Sequence, residues 1–271
     1  MQISRASLKK NPIIKRILEV GFIKKLRSVR ANVRGWVKYR NIYYPQWRIA
    51  RNGMVAYLSN AKVACTSIMA SLVGEADIKD SYEPQKRIWE LGLSKGELQE
   101  PGKYYKFTFV RNPFARLVSC YESKYHYDIE FHHKERERMS YHRYLFGYLR
   151  KDEGFEKFIG KISRIPYGLM DPHFRLQRYL VYDRRERCRV DYIGKFETLE
   201  EEFSIIQKKY NLMPLPHFNK APLEKGKKNW MDYYTFETAR IVWRKYKKDF
   251  ETFGYEDEYR KLMLYLKNRS R

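Results

Sequence analysis

The chain has 271 residues, 43% hydrophobic and 16% aromatic, enough to bury a sizeable core in one domain. Its 56 lysines and arginines outnumber 32 acidic residues, and the net charge of +24 draws polyanions and anionic membranes without choosing among nucleic acid, acidic glycan and lipid. Cys65, Cys120 and Cys188 lack metal-ligand spacing, which argues against a disulfide framework or a zinc site and fits a reducing compartment.

Lysines and arginines interrupt every apolar run near the start, so neither a signal h-region nor a membrane span is expected. Residues 1–45 read as a basic N-terminal extension and 46–271 as the main domain. Within the extension, Ile14, Ile17, Leu18, Phe22, Leu26 and Val29 recur at roughly helical spacing, with Lys15, Arg16, Lys24, Lys25 and Arg27 between them. This basic amphipathic helix has two readings, an apolar stripe packed on the domain or peripheral docking on an anionic membrane face. The expected location is cytoplasmic, with the inner membrane face as the docking surface.

The apolar run 54–58 predicts a strand, and Ile68-Met69-Ala70-Ser71-Leu72 predicts a helix. Between them lies Asn60-Ala61-Lys62-Val63-Ala64-Cys65-Thr66-Ser67. Small residues after a strand and before a helix let backbone N–H groups converge on an oxyanion. The helix start adds partial positive charge, and Lys62 adds a full one. The pattern is not the G-x-x-x-x-G-K-[ST] of an ATP-binding loop.

Residues 75–102 read as loop with short helical pieces, and 105–110 as a second strand. That strand runs into Arg111-Asn112-Pro113, where Pro113 opens a helix. Arg111 projects from the strand end and Ser119 lies two turns along, so an arginine fork and a hydroxyl are placed to share one phosphate. Further on, 155–162 reads as a helix and 190–194 as a strand. Thr198-Leu199-Glu200-Glu201 has the pattern of a capping box opening a helix that ends near Tyr210, and 236–250 reads as a closing helix. Strands alternating with helices imply an α/β fold with a central, mostly parallel sheet and right-handed crossovers. Ligands bind such sheets beyond the carboxyl ends of the strands, where both loops lie.

The two loops together, in this order, resemble the sulfotransferase superfamily, and more narrowly the carbohydrate sulfotransferases and their bacterial relatives, often called sulfotransferase family 2. The resemblance extends to Asp171-Pro172-His173-Phe174-Arg175-Leu176-Gln177, to 191–199 and to 249–255, so it covers roughly 54–255. It implies a P-loop-like three-layer sandwich and the donor 3′-phosphoadenosine 5′-phosphosulfate. By resemblance, Lys62 contacts the bridging and sulfuryl oxygens while Val63, Ala64, Cys65, Thr66 and Ser67 cradle the 5′-phosphate. Arg111 and Ser119 hold the 3′-phosphate. The sequence departs from the family at Ala61, usually proline, and at Phe174, usually tryptophan in the animal enzymes, which points to a different acceptor.

Sulfuryl transfer needs positioning and charge stabilisation, and the sulfuryl group carries less charge than a phosphoryl group, so no metal is required. A general base helps to deprotonate an acceptor hydroxyl. His126, His132, His133, His142, His173 and His217 are the candidate histidines, with Glu122 as a further candidate. His173 is favoured because its segment resembles the family outside the nucleotide loops; its other reading is a loop-structuring histidine. Cys65 is read as a packed residue, Arg116 as either a second phosphate ligand or a solvated helix residue, and Lys225-Gly226-Lys227-Lys228 as either a loop closing on the 3′-phosphate or a surface turn. Trp243 reads as core packing.

The expected activity is transfer of a sulfuryl group to a saccharide hydroxyl on a cell-surface glycan or glycolipid precursor, the positive field attracting an acidic acceptor. Two rivals have other chemistries. A nucleic-acid-binding protein explains the charge, but the basic residues are spread along the chain rather than gathered on one element, so no nucleic acid is expected. A kinase using ATP and magnesium lacks its loop signature.

Overall fold

The computed structural model describes residues 41, 45–74, 83–98, 100, 102–123, 148–149, 153–216 and 229–270. The amphipathic helix expected within 13–29, His126, His132, His133, His142, His217 and the basic stretch 225–228 all lie outside the described residues.

The chain enters the sheet with β1 (Trp47–Ile49) and turns back into β2 (Val55–Leu58). Every residue of β2 is buried, as its unbroken apolar run requires of a central strand covered on both faces. Helix α1 (Cys65–Val73) follows, closed by Gly74 in the left-handed conformation, and then α2 (Glu83–Glu90), which tucks Ile88 into the core. A two-residue strand, β3 (Ser94–Lys95), pairs with β1 at the sheet edge, and β4 (Tyr105–Val110) returns to the centre. Helix α3 (Pro113–Tyr121) starts as expected: Asn112 caps it by accepting from Phe114 N at 2.9 Å, with Pro113 at the first position. Next come α4 (Phe155–Arg164), the short α5 (Gln177–Val181), β5 (Tyr192–Lys195), α6 (Leu199–Tyr210), α7 (Phe236–Phe253) and α8 (Glu256–Arg269).

The strands lie in the order β3-β1-β2-β4-β5. β2 pairs parallel with β4 and β4 with β5, while β1 is antiparallel to both of its neighbours. β1 is therefore the one described strand that opposes the rest. Gly194 of β5 sits opposite Phe109, and a Cβ there would fall 2.2 Å from the Phe109 ring, so only glycine lets the two strands pair.

Helices cover both faces, making three layers. On one face, residues of α1, α2 and α6, among them Ile68, Leu72, Ile88, Phe203 and Ile206, pack on Tyr57, Phe107 and Phe109. On the other, α3, α4, α7 and α8 gather Phe114, Phe158, Phe250 and Leu262. Phe114 is the hub of that layer, with Phe250, Tyr234 and Trp230 at ring-centroid distances of 4.8, 5.1 and 5.9 Å. Trp243 stacks on Tyr259 at 4.6 Å, which is packing as expected. None of the described helices is long and apolar enough to cross a membrane.

β1, β3, α5 and α8 are additional to the elements expected from the sequence, and two local expectations fail. The capping box at Thr198 is absent: a 3-10 turn, Phe196–Thr198, precedes α6, and Thr198 makes no cap bond but donates its hydroxyl to Glu202 Oε1 at 2.5 Å. Phe174 is fully buried, its ring against Phe158 and its carbonyl accepting from the Tyr246 hydroxyl, so its departure from tryptophan is a change of core packing rather than of acceptor contact.

Candidate functional site

Because β2, β4 and β5 run in one direction, the segments leaving them emerge along the same sheet edge: 59–64, 111–112 and the turn Phe196–Thr198. The first two are joined directly, since the Arg111 guanidinium donates from Nη1 to the Lys62 carbonyl at 3.2 Å. Asn60 Nδ2 reaches across to the Phe109 carbonyl at 2.9 Å, one strand over.

The first loop is built for convergent amides. Lys62 and Ala64 both take the left-handed conformation, with φ of 69° and 50°. That costs an L-residue on the order of 1–2 kcal/mol, and such backbone strain gathers at functional turns, where left-handed residues let successive N–H groups face one point. Ala64 is the N-cap of α1 and provides no side-chain acceptor, and no acidic residue lies in the first turn. The N–H groups of Cys65, Thr66 and Ser67 are therefore donors without helical partners at the positive end of the helix dipole. Cys65 is partly buried among apolar neighbours, in keeping with a packing role. The Lys62 ammonium reaches to the residues just past the end of α3 and donates to Ser123 Oγ at 2.6 Å. Ser119 lies four residues before Ser123, on that same side of the helix, and its hydroxyl makes no hydrogen bond among the described residues.

Arg111 stands between the loops under unusual conditions. Its guanidinium lies 4.2 Å over the Phe196 ring, and its Nε is enclosed with no hydrogen-bond partner. Desolvation draws its pKa down to about 10, opposed by nearby Glu197. A half-buried cation with an enclosed, unanswered N–H is the arrangement an incoming anion satisfies. Glu197 itself is occupied, accepting from Asn112 N at 3.0 Å and from the Tyr255 hydroxyl at 2.7 Å.

Arg116 is neither of the things its sequence position suggested. It is 1% exposed, and its guanidinium donates to the carbonyls of Ala61, Arg175 and Pro172 at 3.0, 2.8 and 2.9 Å and, at 3.4 Å, to Asn60 Oδ1. It is a clamp that ties the first loop to the 171–175 segment. Only the carbonyl of Ala61 is used, which any residue supplies.

Gln177 escaped assignment from sequence, although it closes the motif that begins at Asp171. Fully buried, it accepts from Asn60 Nδ2 at 2.9 Å and from Arg111 N at 3.0 Å, and donates to the Arg111 carbonyl at 2.8 Å. It thus braces both loops at once. Asp249 of α7 fixes Gln177 in turn, its two carboxylate oxygens each accepting at 2.8 Å, from Gln177 N and Arg178 N. Burial pushes the Asp249 carboxyl up to about 6, against those two bonds and the Arg116 charge.

His173 is partly exposed and bonded through Nδ1 to Asp171 Oδ1 at 2.6 Å. It joins the loops indirectly, since the Arg116 guanidinium holds the carbonyl just before it as well as the one just before Lys62. Glu122, at the end of α3, encloses Oε1 without a partner and takes a hydrogen bond from Tyr233. Among the described residues no group of three or more His, Cys, Asp or Glu side chains is arranged to hold a metal ion.

The chain is similar to known proteins. Carbohydrate sulfotransferase 12 of Xenopus laevis is 29% identical over 170 residues, covering 56% of this chain and 40% of its own length. Carbohydrate sulfotransferase 11 of Rattus norvegicus is 30% identical over 175 residues, covering 54% and 47%. Carbohydrate sulfotransferase 14 of Danio rerio is 26% identical over 219 residues, covering 72% and 58%. The chain spans about half the length of the curated relatives it matches. No solved structure matches it. The model of the sulfotransferase family matches residues 46–256, which takes in both strand-end loops, the segment carrying His173 and Gln177, and the start of α8: the chain belongs to the sulfotransferase family.

Proposed function

We propose that this protein transfers a sulfuryl group from 3′-phosphoadenosine 5′-phosphosulfate to a saccharide hydroxyl. Family membership supports the reaction class, and the names of the relatives support a carbohydrate acceptor. The observation that carries the donor assignment is the union of two cationic loops at one sheet edge, with Arg111 bonded to the Lys62 carbonyl and its Nε unanswered. The amides at the start of α1 suit the 5′-phosphate, and Arg111 with Ser119 suits the 3′-phosphate. The donor brings an activated sulfuryl group whose leaving oxygen belongs to a phosphate. The chain's own groups hold both ends of the nucleotide and present the Lys62 ammonium to the oxygens where charge develops.

Arg116 and Gln177 act earlier, by holding the two loops at a fixed separation before any ligand arrives. A preorganised site spends none of its binding energy on assembly.

The test is sulfuryl transfer from the donor to a panel of neutral and uronic-acid-containing saccharides in the presence of a chelator, with products identified by mass. A sulfated saccharide is expected from the native chain. Lys62→Ala lowers turnover by about 100-fold or more, in line with the loss of a group aimed at developing charge. Donor turnover without any saccharide product would contradict the acceptor class, and undiminished transfer by Lys62→Ala would contradict the role of the ammonium.

A further inference from the structure

We propose that Asp171 is the positioning residue for His173, holding its ring with the proton on Nδ1 so that Nε2 receives the proton of the acceptor hydroxyl. The inference rests on the reading of His173 as the base, and it assigns a role to a carboxylate outside both nucleotide loops.

One carboxylate oxygen, Asp171 Oδ1, meets His173 twice: it accepts from the backbone N at 2.9 Å and lies 2.6 Å from ring Nδ1. A turn needs only the first bond. The second orients the ring, and it also sets the tautomer, since an ionised carboxylate can only accept and Nδ1 must therefore carry the hydrogen. In the neutral ring the lone pair then sits on Nε2.

Two cations lie near the pair. The Arg116 and Arg175 guanidiniums both act on it electrostatically, and Arg175 is in turn within reach of Arg189. Arg116 also interacts electrostatically with the buried Asp249. Asp171 is also fixed through its backbone, its carbonyl accepting from Phe174 N at 3.1 Å and Arg175 N at 2.8 Å. Arg116 holds the Pro172 and Ala61 carbonyls together, so the dyad is tied to the loop that carries Lys62.

The proton transfer balances. As the acceptor oxygen bonds to sulfur, the bond from sulfur to the bridging phosphate oxygen breaks and the electron pair leaves on 3′-phosphoadenosine 5′-phosphate. The hydroxyl proton passes to Nε2, leaving an imidazolium that faces the Asp171 carboxylate. An opposite charge at that distance favours the protonated ring, and so raises the pH at which the base becomes active.

The experiment compares Asp171→Asn, His173→Ala and the double variant by kcat, kcat/KM against pH, and affinity for 3′-phosphoadenosine 5′-phosphate. Asp171→Asn should leave nucleotide affinity within a few-fold, lower kcat by on the order of 100-fold, and move the acid limb of kcat/KM down by about one pH unit. In the His173→Ala background the same change should cost little more, because the two residues act as one unit. An acid limb that stays in place in Asp171→Asn, or an equal loss in both backgrounds, overturns the positioning role. Should His173→Ala itself keep native turnover and the native acid limb, it is the reading of His173 as base that falls. Nitrogen-15 NMR of the unaltered protein, with the His173 signals assigned through His173→Ala, reads the tautomer directly: the Nδ1–H form is expected, and the Nε2–H form overturns the proposal even if no Asp171 variant folds.

Discussion

Replacing Arg111 by methionine should separate binding from stability. Desolvation that draws this guanidinium down to about 10 amounts to roughly 3 kcal/mol spent on carrying the charge in the folded protein. Two contacts offset it: the bond to the Lys62 carbonyl, worth about 1.5–3 kcal/mol as a charged hydrogen bond, and the contact with the Phe196 ring, worth about 0.5–2 kcal/mol. Methionine keeps an apolar contact with Phe196, relieves the buried charge and leaves the carbonyl of the loop to water. The unliganded Arg111→Met protein should thus unfold in urea within about 1 kcal/mol of the native chain. Its affinity for 3′-phosphoadenosine 5′-phosphate should fall about 10- to 150-fold, from one lost charged hydrogen bond. Urea titration followed by tryptophan fluorescence reads the first quantity, and calorimetric titration with the nucleotide reads the second. A variant that loses several kcal/mol of stability with unchanged affinity would mean that Arg111 is structural, and the argument from its unanswered Nε would be wrong.

Arg116→Met should do the reverse, costing about 3–5 kcal/mol in urea unfolding because three backbone carbonyls lose their donor at once; Arg116→Lys recovers little of this, since an ammonium cannot fork among them. Asp249 predicts a pH signature. Its folded pKa, near 6, lies above the unfolded value, so the stability it contributes is present below about pH 4 and is lost as pH rises through 6. The stability difference between the native chain and Asp249→Asn should therefore fall by roughly 3 kcal/mol between pH 4 and pH 7, and a flat difference would contradict the burial argument. Phe174→Trp overfills a closed site and should cost about 1–3 kcal/mol in urea unfolding, with the acceptor preference unchanged; a switch of acceptor would restore a substrate-facing role to this position.

The central parallel strands and the two loops were legible because their signals are local. β2 is an unbroken apolar run and β4 is rich in aromatic and β-branched residues, Asn112-Pro113 is a cap and first-turn pair, and a lysine among small residues after a strand has few other uses. β1 and β3 were not legible because three and two residues are too short to display a period of two. Arg116 shows a different limit. On a helix face a charged residue ordinarily meets water, and its burial follows from carbonyls contributed by segments about 55 residues upstream and 59 downstream. Gln177 and Phe174 were misjudged or missed for the same reason, since their partners are distant in sequence. Thr198 had the pattern of a cap, but its backbone, with φ −120° and ψ 27°, departs from the extended conformation a cap residue takes, and its hydroxyl went to Glu202 instead. The helix α8 did carry a readable signal, an acidic first turn followed by Leu262 and Leu266 one turn apart on the buried side.

The most direct measurement is the affinity of the native chain for 3′-phosphoadenosine 5′-phosphate beside that for adenosine 5′-phosphate, both titrated calorimetrically in chelator. If the two loops grip opposite ends of one nucleotide, removing the 3′-phosphate costs at least one charged hydrogen bond, and the doubly phosphorylated ligand binds about 10-fold or more tighter. Equal affinity for the two, or measurable binding of neither, would contradict the account.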